Sequence, residues 1–373
     1  MKKRSVAVLD VGSEKIRLMV GERGVNKTFV IKSSVDAQYD GYSDAVFYKP
    51  AELPKIIDAL VNKAQSEIRE KITSVCVGVP GEFIVSYCKE YKINFPKKKK
   101  IASEEVSKLY EAAFSAKSDK YKLITRSAIY YFLSGGRNVT EPKGLVSDSL
   151  GGNLTFYMCD VEFLKIFDKA LKACGVTRVE YYPVSLAEVL YLFDNFERDK
   201  GGVLADVGYI SSTVCYYSGD GILYEKSFSM GGGEITAELY GKFKIPFSAA
   251  EKLKRMINVS YNPYEEARYE VEDGGKIYSV PVSSANAAVK DALDRIAQNI
   301  AVFLDEVALP NTGSHALSLT GGGISYIRGA KEYVAARLGA VITTVAPDIP
   351  LFDKPANSSS FSLLDLALKN IEK

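Results

Sequence analysis

The chain has no tryptophan and a single histidine, His315, among its 373 residues. One histidine excludes a metal site built from several imidazoles, and it gives little support to a Ser-His-Asp triad. The five cysteines are scattered and form no Cys-x-x-Cys pair, which favours reduced thiols over disulfides or a zinc site. We therefore expect any metal ion to be a hard cation held by carboxylates, water and ligand phosphates.

Long apolar runs are also missing. No stretch reaches the roughly 20 residues of a membrane helix, and the basic amino terminus passes into a strand without a signal-peptide pattern. The net charge of +2 gives no general attraction to nucleic acid. A P-loop and a dinucleotide-binding fingerprint are both absent. These absences predict a cytoplasmic protein that does not bind nucleic acid.

Three glycine-containing turns lie along the chain in a fixed order. The first two are VAVLDVGSEKIRLMVGE and GVLADVGYISSTVCYYSGDG, and each predicts a strand that ends in Asp-Val-Gly and returns as another strand. The third, ALSLTGGGISYIRGAKEYV, predicts a strand, a glycine turn and a helix. Because the first two turns look like copies, we expect two lobes that face one anionic ligand.

The first turn contains the residue types that a phosphate needs. Gly12 has no Cβ and lets backbone N–H groups approach, Ser13 adds a hydroxyl, and Lys15 adds a positive charge. Asp10 would repel a triphosphate unless a Mg²⁺ ion lay between them. A tight hairpin in which Asp and Gly only make the turn is the alternative, and the second copy favours the functional interpretation.

The second turn keeps Asp206, Gly208 and two hydroxyls, those of Ser211 and Ser212. The two residues after Gly208 are Tyr and Ile, which are bulky where a loop that holds a phosphate closely favours glycine. The glycines at 231–233 open a predicted helix, whose amino terminus either attracts an anion or makes a packed turn. This second loop is therefore expected to be the weaker of the two phosphate cradles.

Strand and helix signals alternate along most of the chain, which predicts an α/β architecture. Residues 81–159 differ in character and are expected to form a subdomain inserted into the first lobe. The four lysines at 97–100 are interpreted as a solvated loop, with contact to acidic partners or lipid headgroups as the alternative. Gly201 and Gly202 mark the boundary between the lobes, and residues 361–373 predict a short amphipathic helix.

The order of these motifs resembles the actin-like ATPase superfamily. LDVGSEKIRLMVGE resembles its first phosphate motif, LADVGYISSTVCYYSGDG its second, and LTGGGISYIRGA its adenosine motif. SVCVGVPGEFIVSY, ASEEVSKLYEAAF and GGRNVTEPKGLVSDSLGGNLTFYM resemble the 1C subdomain that the FtsA family of bacterial cell-division proteins inserts in its first lobe. GGGEITAEL followed by SAAEKLKRM resembles a further pattern of that family, and the pilus-assembly protein PilM has a similar layout.

This resemblance implies a two-lobe actin-like fold of duplicated ribonuclease-H-like domains with an FtsA-type 1C insertion. The implied parts are a lobe 1 core at 1–80 and 160–199, the insert at 81–159, a lobe 2 core at 200–241 and 308–373, and a smaller lobe 2 subdomain at 242–307. It also implies that ATP binds between the lobes with Mg²⁺, which Asp10 and Asp206 would hold mainly through water. The implied nucleotide-binding residues are Asp10, Gly12, Ser13, Lys15, Asp206, Gly208, Ser211, Ser212, Gly231, Gly232, Gly233, Glu251, Lys254, Gly321, Gly322, Gly323 and Tyr326.

The chain departs from the resemblance at the position of a catalytic acid. Tyr182 stands where DnaK-type chaperones carry a water-orienting Glu, and a phenol with an ordinary pKa of about 10 is a poor base near neutral pH. Glu180 or Glu188 would have to replace it. The usual membrane-binding helix is a second departure, because residues 361–373 resemble the last helix of the second lobe. This predicts a truncated form or a paralogue without its own anchor.

The leading hypothesis is an FtsA-like assembly protein in which ATP acts as a clamp between the lobes and is hydrolysed slowly or not at all. Its expected partners are further copies of itself and division proteins such as the tubulin-like FtsZ, with the inner face of the cell membrane reached through partners. A PilM-like pilus adaptor, a sugar or small-acid kinase of the same superfamily, and an adaptor that binds no nucleotide because Tyr209 fills the cleft remain alternatives.

Overall fold

The computed structural model describes residues 5–25, 28–261, 266–307 and 316–372, so His315 lies outside the described residues. The strands are β1 (Val6–Val11), β2 (Lys15–Arg23), β3 (Phe29–Gln38), β4 (Tyr42–Ser43), β5 (Val46–Phe47), β6 (Ser74–Val79), β7 (Ile84–Lys100), β8 (Tyr121–Leu133), β9 (Asn138–Val139), β10 (Val146–Asp160), β11 (Arg178–Pro183), β12 (Gly202–Val207), β13 (Ser212–Ser218), β14 (Gly221–Phe228), β15 (Arg268–Asp273), β16 (Lys276–Pro281), β17 (Ala316–Thr320) and β18 (Ile342–Thr344). The α-helices are α1 (Leu53–Ile68), α2 (Ser103–Ala113), α3 (Val161–Ala173), α4 (Val184–Leu192), α5 (Asn195–Lys200), α6 (Gly232–Phe243), α7 (Phe247–Met256), α8 (Val282–Glu306), α9 (Ala330–Leu338) and α10 (Ser358–Glu372).

Lobe 1 is built on a five-stranded sheet in the order β11-β6-β1-β2-β3. β1 and β2 form the predicted antiparallel hairpin, in which Asp10 lies opposite Arg17, and β1 runs parallel to β6. Side chains alternate between the two faces of a strand, so Leu9 joins the core under α1 and α3 while Val8 joins the core under α4 and α10. The hairpin is thereby fixed from both faces.

Lobe 2 repeats this plan in a sheet of order β14-β13-β12-β17-β18. β12 and β13 form the second predicted hairpin, and β12 runs parallel to β17, with Asp206 opposite Thr320. Alternate residues of β12 pack with α6, α7, α8 and α9 in one core. Two matching sheets with helices on their faces confirm the expected two-lobe α/β fold. In each sheet the Asp-Val-Gly turn joins the central strand to its antiparallel neighbour.

The inserted segment forms a separate four-stranded sheet in the order β7-β10-β8-β9, covered on one face by α2. It also contacts lobe 2, because Thr155 Oγ1 donates to the carbonyl of Ile222 over 2.9 Å and the Ile222 N–H donates to Tyr157 Oη over 3.0 Å. The interpretation of Lys97–Lys100 as a loop is wrong. These four exposed residues end strand β7, and Lys99 and Lys100 pair there with Ser147 and Val146 of β10.

The last helix lies in a different place from the one expected. Residues 308–373 were predicted to belong to lobe 2, but α10 packs on the sheet of lobe 1. Phe361, Leu364 and Leu368 are fully buried there beside Val8 and Met19, so the amphipathic face of the helix covers apolar surface that lobe 1 leaves open. None of the described helices is long and apolar enough to cross a bilayer.

Candidate functional site

A cleft of about 350 Å³ lies between the lobes where the three glycine turns meet. It is lined by residues from both sheets and from helices α4, α7 and α10. Of the residues predicted from the sequence, those that line it are Asp10, Gly12, Ser13, Lys15, Asp206, Gly208, Ser211, Glu251, Lys254, Gly321, Gly322 and Tyr326. The tertiary fold thus brings three distant parts of the chain to one concave surface.

The two aspartates share one electrostatic environment. Burial raises the pKa of Asp206 to about 7, and the negative charge of Asp10 adds to this shift. Gly321 brings the third turn to the same place. Its φ of +88° and its missing Cβ let this turn lie directly against the Asp206 carboxylate and the Val207 carbonyl. The expectation that the two hairpins converge on one pocket therefore agrees with the geometry.

These carboxylates suit a cation that keeps its water ligands. Among the described residues, no group of three or more His, Cys, Asp or Glu side chains has the arrangement of a protein-built metal cage. Mg²⁺ usually binds through one or two carboxylates together with water and substrate phosphates. Asp10 and Asp206 fit that donor set, since a cation between them would relieve the repulsion that raises the pKa of Asp206.

Glu188 on α4 is an acid that the sequence analysis named only as a substitute. Its side chain lines the cleft, is 1% exposed, and has no hydrogen-bond partner for either carboxylate oxygen. Burial, followed by the charges of Asp206 and Asp10, raises its pKa well above the ordinary value. A sequence signal existed, because Glu188 is the one charged residue in the apolar helix VSLAEVLYL.

The other two residues considered for this role do not line the cleft. Tyr182 Oη accepts a hydrogen bond from Asn370 Nδ2 at 2.8 Å, and burial raises its pKa to about 12. Glu180 forms an ion pair with Arg178 on the outer strand of the lobe 1 sheet. Of the three candidates for this role, Glu188 is therefore the one that lines the cleft with the two aspartates.

Five of the predicted binding residues pack the turns together and do not line the cleft. Ser212 Oγ donates to the Met230 carbonyl over 2.6 Å, because this side chain points to the other face of its strand. Backbone N–H groups of three of the predicted glycines donate to the second turn or to β12 and do not face the cleft. They are Gly232 N to Gly208 O at 2.9 Å, Gly233 N to Tyr209 O at 2.7 Å, and Gly323 N to Val207 O at 2.7 Å, while a Cβ on Gly231 would collide with the Gly208 carbonyl.

The first two turns touch each other across the cleft. Ser13 is buried, and its Oγ accepts a hydrogen bond from the backbone N–H of Ile210 at 2.9 Å. The first turn itself is closed by a bond from Gly12 N to Lys15 O, and the second by the equivalent bond from Gly208 N to Ser211 O. The two copies thus have the same local hydrogen-bond pattern, and the lobes are already in contact.

One end of the cleft carries a network of basic, acidic and aromatic side chains. Lys254 Nζ lies 2.7 Å from Glu251 Oε2 and donates to the Gly232 carbonyl over 3.0 Å. Burial lowers the pKa of Lys254. Burial also acts to raise the pKa of Glu251, but the charge of Lys254 and the hydrogen bonds from Lys254, Thr236 and Arg255 together hold it below its ordinary value. Arg255, which the sequence analysis missed, lies 5.5 Å from the ring centre of Tyr326. This end suits a flat polar ring.

Tyr209 also lines the cleft at this end. Its ring centre is 5.1 Å from Lys254 Nζ, and a Cβ on Gly233 would lie 3.1 Å from its Cε1 atom. Burial raises the pKa of its phenol to about 12, with a further contribution from Glu251. The ring therefore packs between Lys254 and the amino terminus of α6.

The sequence relatives of this chain include FtsA proteins from several bacteria. No protein-family model matches the chain. The cell division protein FtsA of Neisseria meningitidis serogroup B is 24% identical over 380 residues, covering 99% of this chain and 91% of that protein. FtsA of Streptococcus pneumoniae serotype 2 is 23% identical over 302 residues, covering 78% of this chain and 66% of that protein.

Solved structures with a similar fold come from several actin-like proteins. The PilM-PilN type IV pilus biogenesis complex aligns with a TM-score of 0.67 at 15% identity over 97% of this chain and 98% of the matched chain. MreB5 of Spiroplasma citri bound to AMPPNP aligns with a TM-score of 0.57 at 13% identity over 100% and 99%. Together with the two matched sheets, these similarities show that the chain has the actin-like two-lobe fold and is similar in sequence to FtsA.

Proposed function

We propose that this protein binds ATP with Mg²⁺ between its lobes and acts as an actin-like cell-division protein that assembles with itself and with other division proteins. The observation that carries the proposal is the convergence of Asp10 and Asp206, from two copies of one hairpin, on a shared cleft. The likeness to FtsA supports the cellular role, and MreB5 of similar fold has been solved with ADP and with AMPPNP.

The residues of the cleft divide into three groups with different tasks. Lys15 and the backbone of the first turn would bind phosphate oxygens, with Ser211 on the opposite wall. Asp10 and Asp206 would hold Mg²⁺ through water, and the ion would neutralise charge on the phosphates. Glu251, Lys254, Gly322 and Tyr326 would surround the nucleoside.

Hydrolysis is proposed to be slow, with Glu188 as the acid that orients the attacking water. In an apolar setting a carboxyl group keeps its proton more readily, which limits its use as a base near neutral pH. Closure of the lobes on the nucleotide, rather than turnover, would then be the step that controls assembly.

Calorimetry of ATP binding with Mg²⁺ and with EDTA tests this proposal. The wild type is expected to bind ATP more tightly with Mg²⁺, and Asp10→Ala should lose about tenfold in affinity with Mg²⁺ and little in EDTA, because a charge-assisted contact is worth about 1.5–3 kcal/mol. Asp58→Ala, which removes an exposed acid on α1, is the control. A wild type that binds no ATP under either condition contradicts the proposal.

Partners and location are proposed from the relatives and need their own experiment. Sedimentation with ATP on anionic vesicles, with and without the tubulin-like FtsZ of the same organism, tests self-assembly and the division partner together. A PilM-like pilus adaptor is the second candidate, because the PilM-PilN structure aligns over 97% of the chain. A fluorescent fusion at the division site supports the first role, and one that follows the pilus machinery supports the second.

A further inference from the structure

The start of α10 contacts Asp10 on β1 and also β17, the strand beside that of Asp206, although no motif marked it in the sequence. Ser359 Oγ donates to Asp10 Oδ2 over 2.6 Å, and Ser360 Oγ donates to the same oxygen over 2.5 Å. Ser360 is 1% exposed, while Ser359 is partly exposed to the cleft. One carboxylate oxygen of Asp10 is therefore fixed by two hydroxyl groups from the first turn of a single helix.

The two residues before this pair bond to the strand neighbours of the two aspartates. Ser358 Oγ accepts from Thr320 Oγ1 at 2.6 Å, and Thr320 lies opposite Asp206 in the sheet of lobe 2. Asn357 Oδ1 accepts from Arg17 Nη1 at 3.0 Å, and Arg17 lies opposite Asp10 in the sheet of lobe 1. Four consecutive residues thus contact Asp10 itself and the strand residue that faces each aspartate.

The two hydroxyl groups hold the Asp10 carboxylate in a defined orientation. Both donate to Oδ2, and this limits the rotation of the side chain beside the cleft that Asp10 shares with Asp206 and Glu188. A helix amino terminus also favours a carboxylate near it through its dipole. The first turn of α10 therefore orients Asp10 without placing a basic side chain where a cation would bind.

We infer that Asn357–Ser360 is a positioning element for the Mg²⁺ and nucleotide site. Ser359 and Ser360 orient the Asp10 carboxylate toward the cation. Ser358 fixes the position of α10 relative to Asp206 through its hydrogen bond with Thr320. This inference rests on the proposed ATP-binding function and adds α10 to it. Because α10 packs on the core of lobe 1 under β1 and α4, a change at Asp10 would also be transmitted to the last helix.

The double variant S359A/S360A tests the positioning role. It should weaken ATP binding in Mg²⁺ by about tenfold and leave binding in EDTA unchanged, because the lost hydrogen bonds act on the cation site rather than on the nucleoside. S359T/S360T keeps both hydroxyl groups and should restore most of the Mg²⁺ dependence. A general loss of stability would instead weaken binding equally in both buffers.

Ser362→Ala is the matched control in the same helix. Ser362 is fully buried, and its Oγ has no hydrogen-bond partner and does not line the cleft, so its removal should leave binding as in the wild type. If the wild type binds Mg²⁺-ATP and S359A/S360A binds it equally well, the positioning role is overturned while the proposed function stands. If the wild type binds no ATP at all, both fall together.

Discussion

Glu188 shows at the scale of one residue how the cleft differs from an ordinary hydrophobic core. An enclosed carboxyl group with neither oxygen bonded costs folding free energy, and an apolar helix would be more stable without it. Its position beside Asp10 and Asp206 gives a reason for the cost, since the proposed hydrolysis would need an acid that faces the terminal phosphate.

The variant Glu188→Gln should separate this role from simple packing. We expect the free energy of unfolding to rise by about 1 kcal/mol, because near neutral pH the carboxyl group of Glu188 must take up a proton to be buried and an amide needs none, while release of phosphate from ATP falls at least tenfold. Chemical denaturation and a phosphate-release assay measure the two effects. Glu180→Gln, which removes an acid outside the cleft, should change neither, and an unchanged rate for Glu188→Gln would exclude it as the water-orienting acid.

At the scale of elements, glycine decides how closely the three turns approach one another. Gly232 lies where a Cβ would be 2.5 Å from the Gly323 carbonyl, and the neighbouring backbone cannot move without separating the turns. Gly241 is in the same helix, α6, and a Cβ there would meet nothing within 4 Å. The same residue type therefore serves close packing at one end of the helix and has no such role at the other.

These two glycines make a matched pair for stability measurements. Gly232→Ala should lower the free energy of unfolding by about 1–3 kcal/mol through overpacking, and Gly241→Ala should raise it by about 0.5–1 kcal/mol because alanine favours the helix. Urea denaturation followed by circular dichroism gives both values. Equal effects of the two changes would show that the turns are not tightly packed in solution.

At the scale of the whole molecule, the insert joins lobe 1 to lobe 2 behind the cleft. Its strand β10 contacts β14 through Thr155 and Tyr157, and Glu225 on β14 accepts a hydrogen bond from Ser185 of α4 at 2.7 Å. The carboxyl group of Glu225 is enclosed at this junction, and burial raises its pKa despite the hydroxyl groups of Ser185 and Ser86. Opening of the lobes would therefore have to break contacts to the insert as well.

The raised pKa of Glu225 predicts a pH effect whose sign is fixed. The folded state holds this proton more tightly than the unfolded state, so the contribution of Glu225 to stability is greatest below its ordinary pKa of about 4.3 and declines as the pH rises above it. Glu225→Gln cannot lose a proton, and its unfolding free energy should exceed that of the wild type more at pH 8 than at pH 4.5. Glu90→Gln, an exposed acid on β7, should show no such difference. A constant difference between wild type and Glu225→Gln across this range would contradict the assignment.

Much of the site could be predicted because its turns are local. The Asp-Val-Gly hairpins depend on apolar strands and small turn residues within about 20 positions, and both formed as the sequence indicated. The sequence could not show that five of the predicted binding residues do not line the cleft. Ser212 and the glycines at 231–233 and 323 are of the same residue types as those that line it, and only the folded structure shows that their polar groups bond to neighbouring backbone.

The sequence by itself determined the two-lobe plan, the insert and the hairpins that carry Asp10 and Asp206, since strand periodicity and turn chemistry act over short distances. Only the tertiary structure decided that Glu188 and the first turn of α10 reach those acids. Ser360 lies 350 positions from Asp10 along the chain, and no local pattern records that the last helix returns to lobe 1. The physical reason is that α10 covers whichever apolar face remains exposed, and lobe 1 is the lobe that leaves one uncovered.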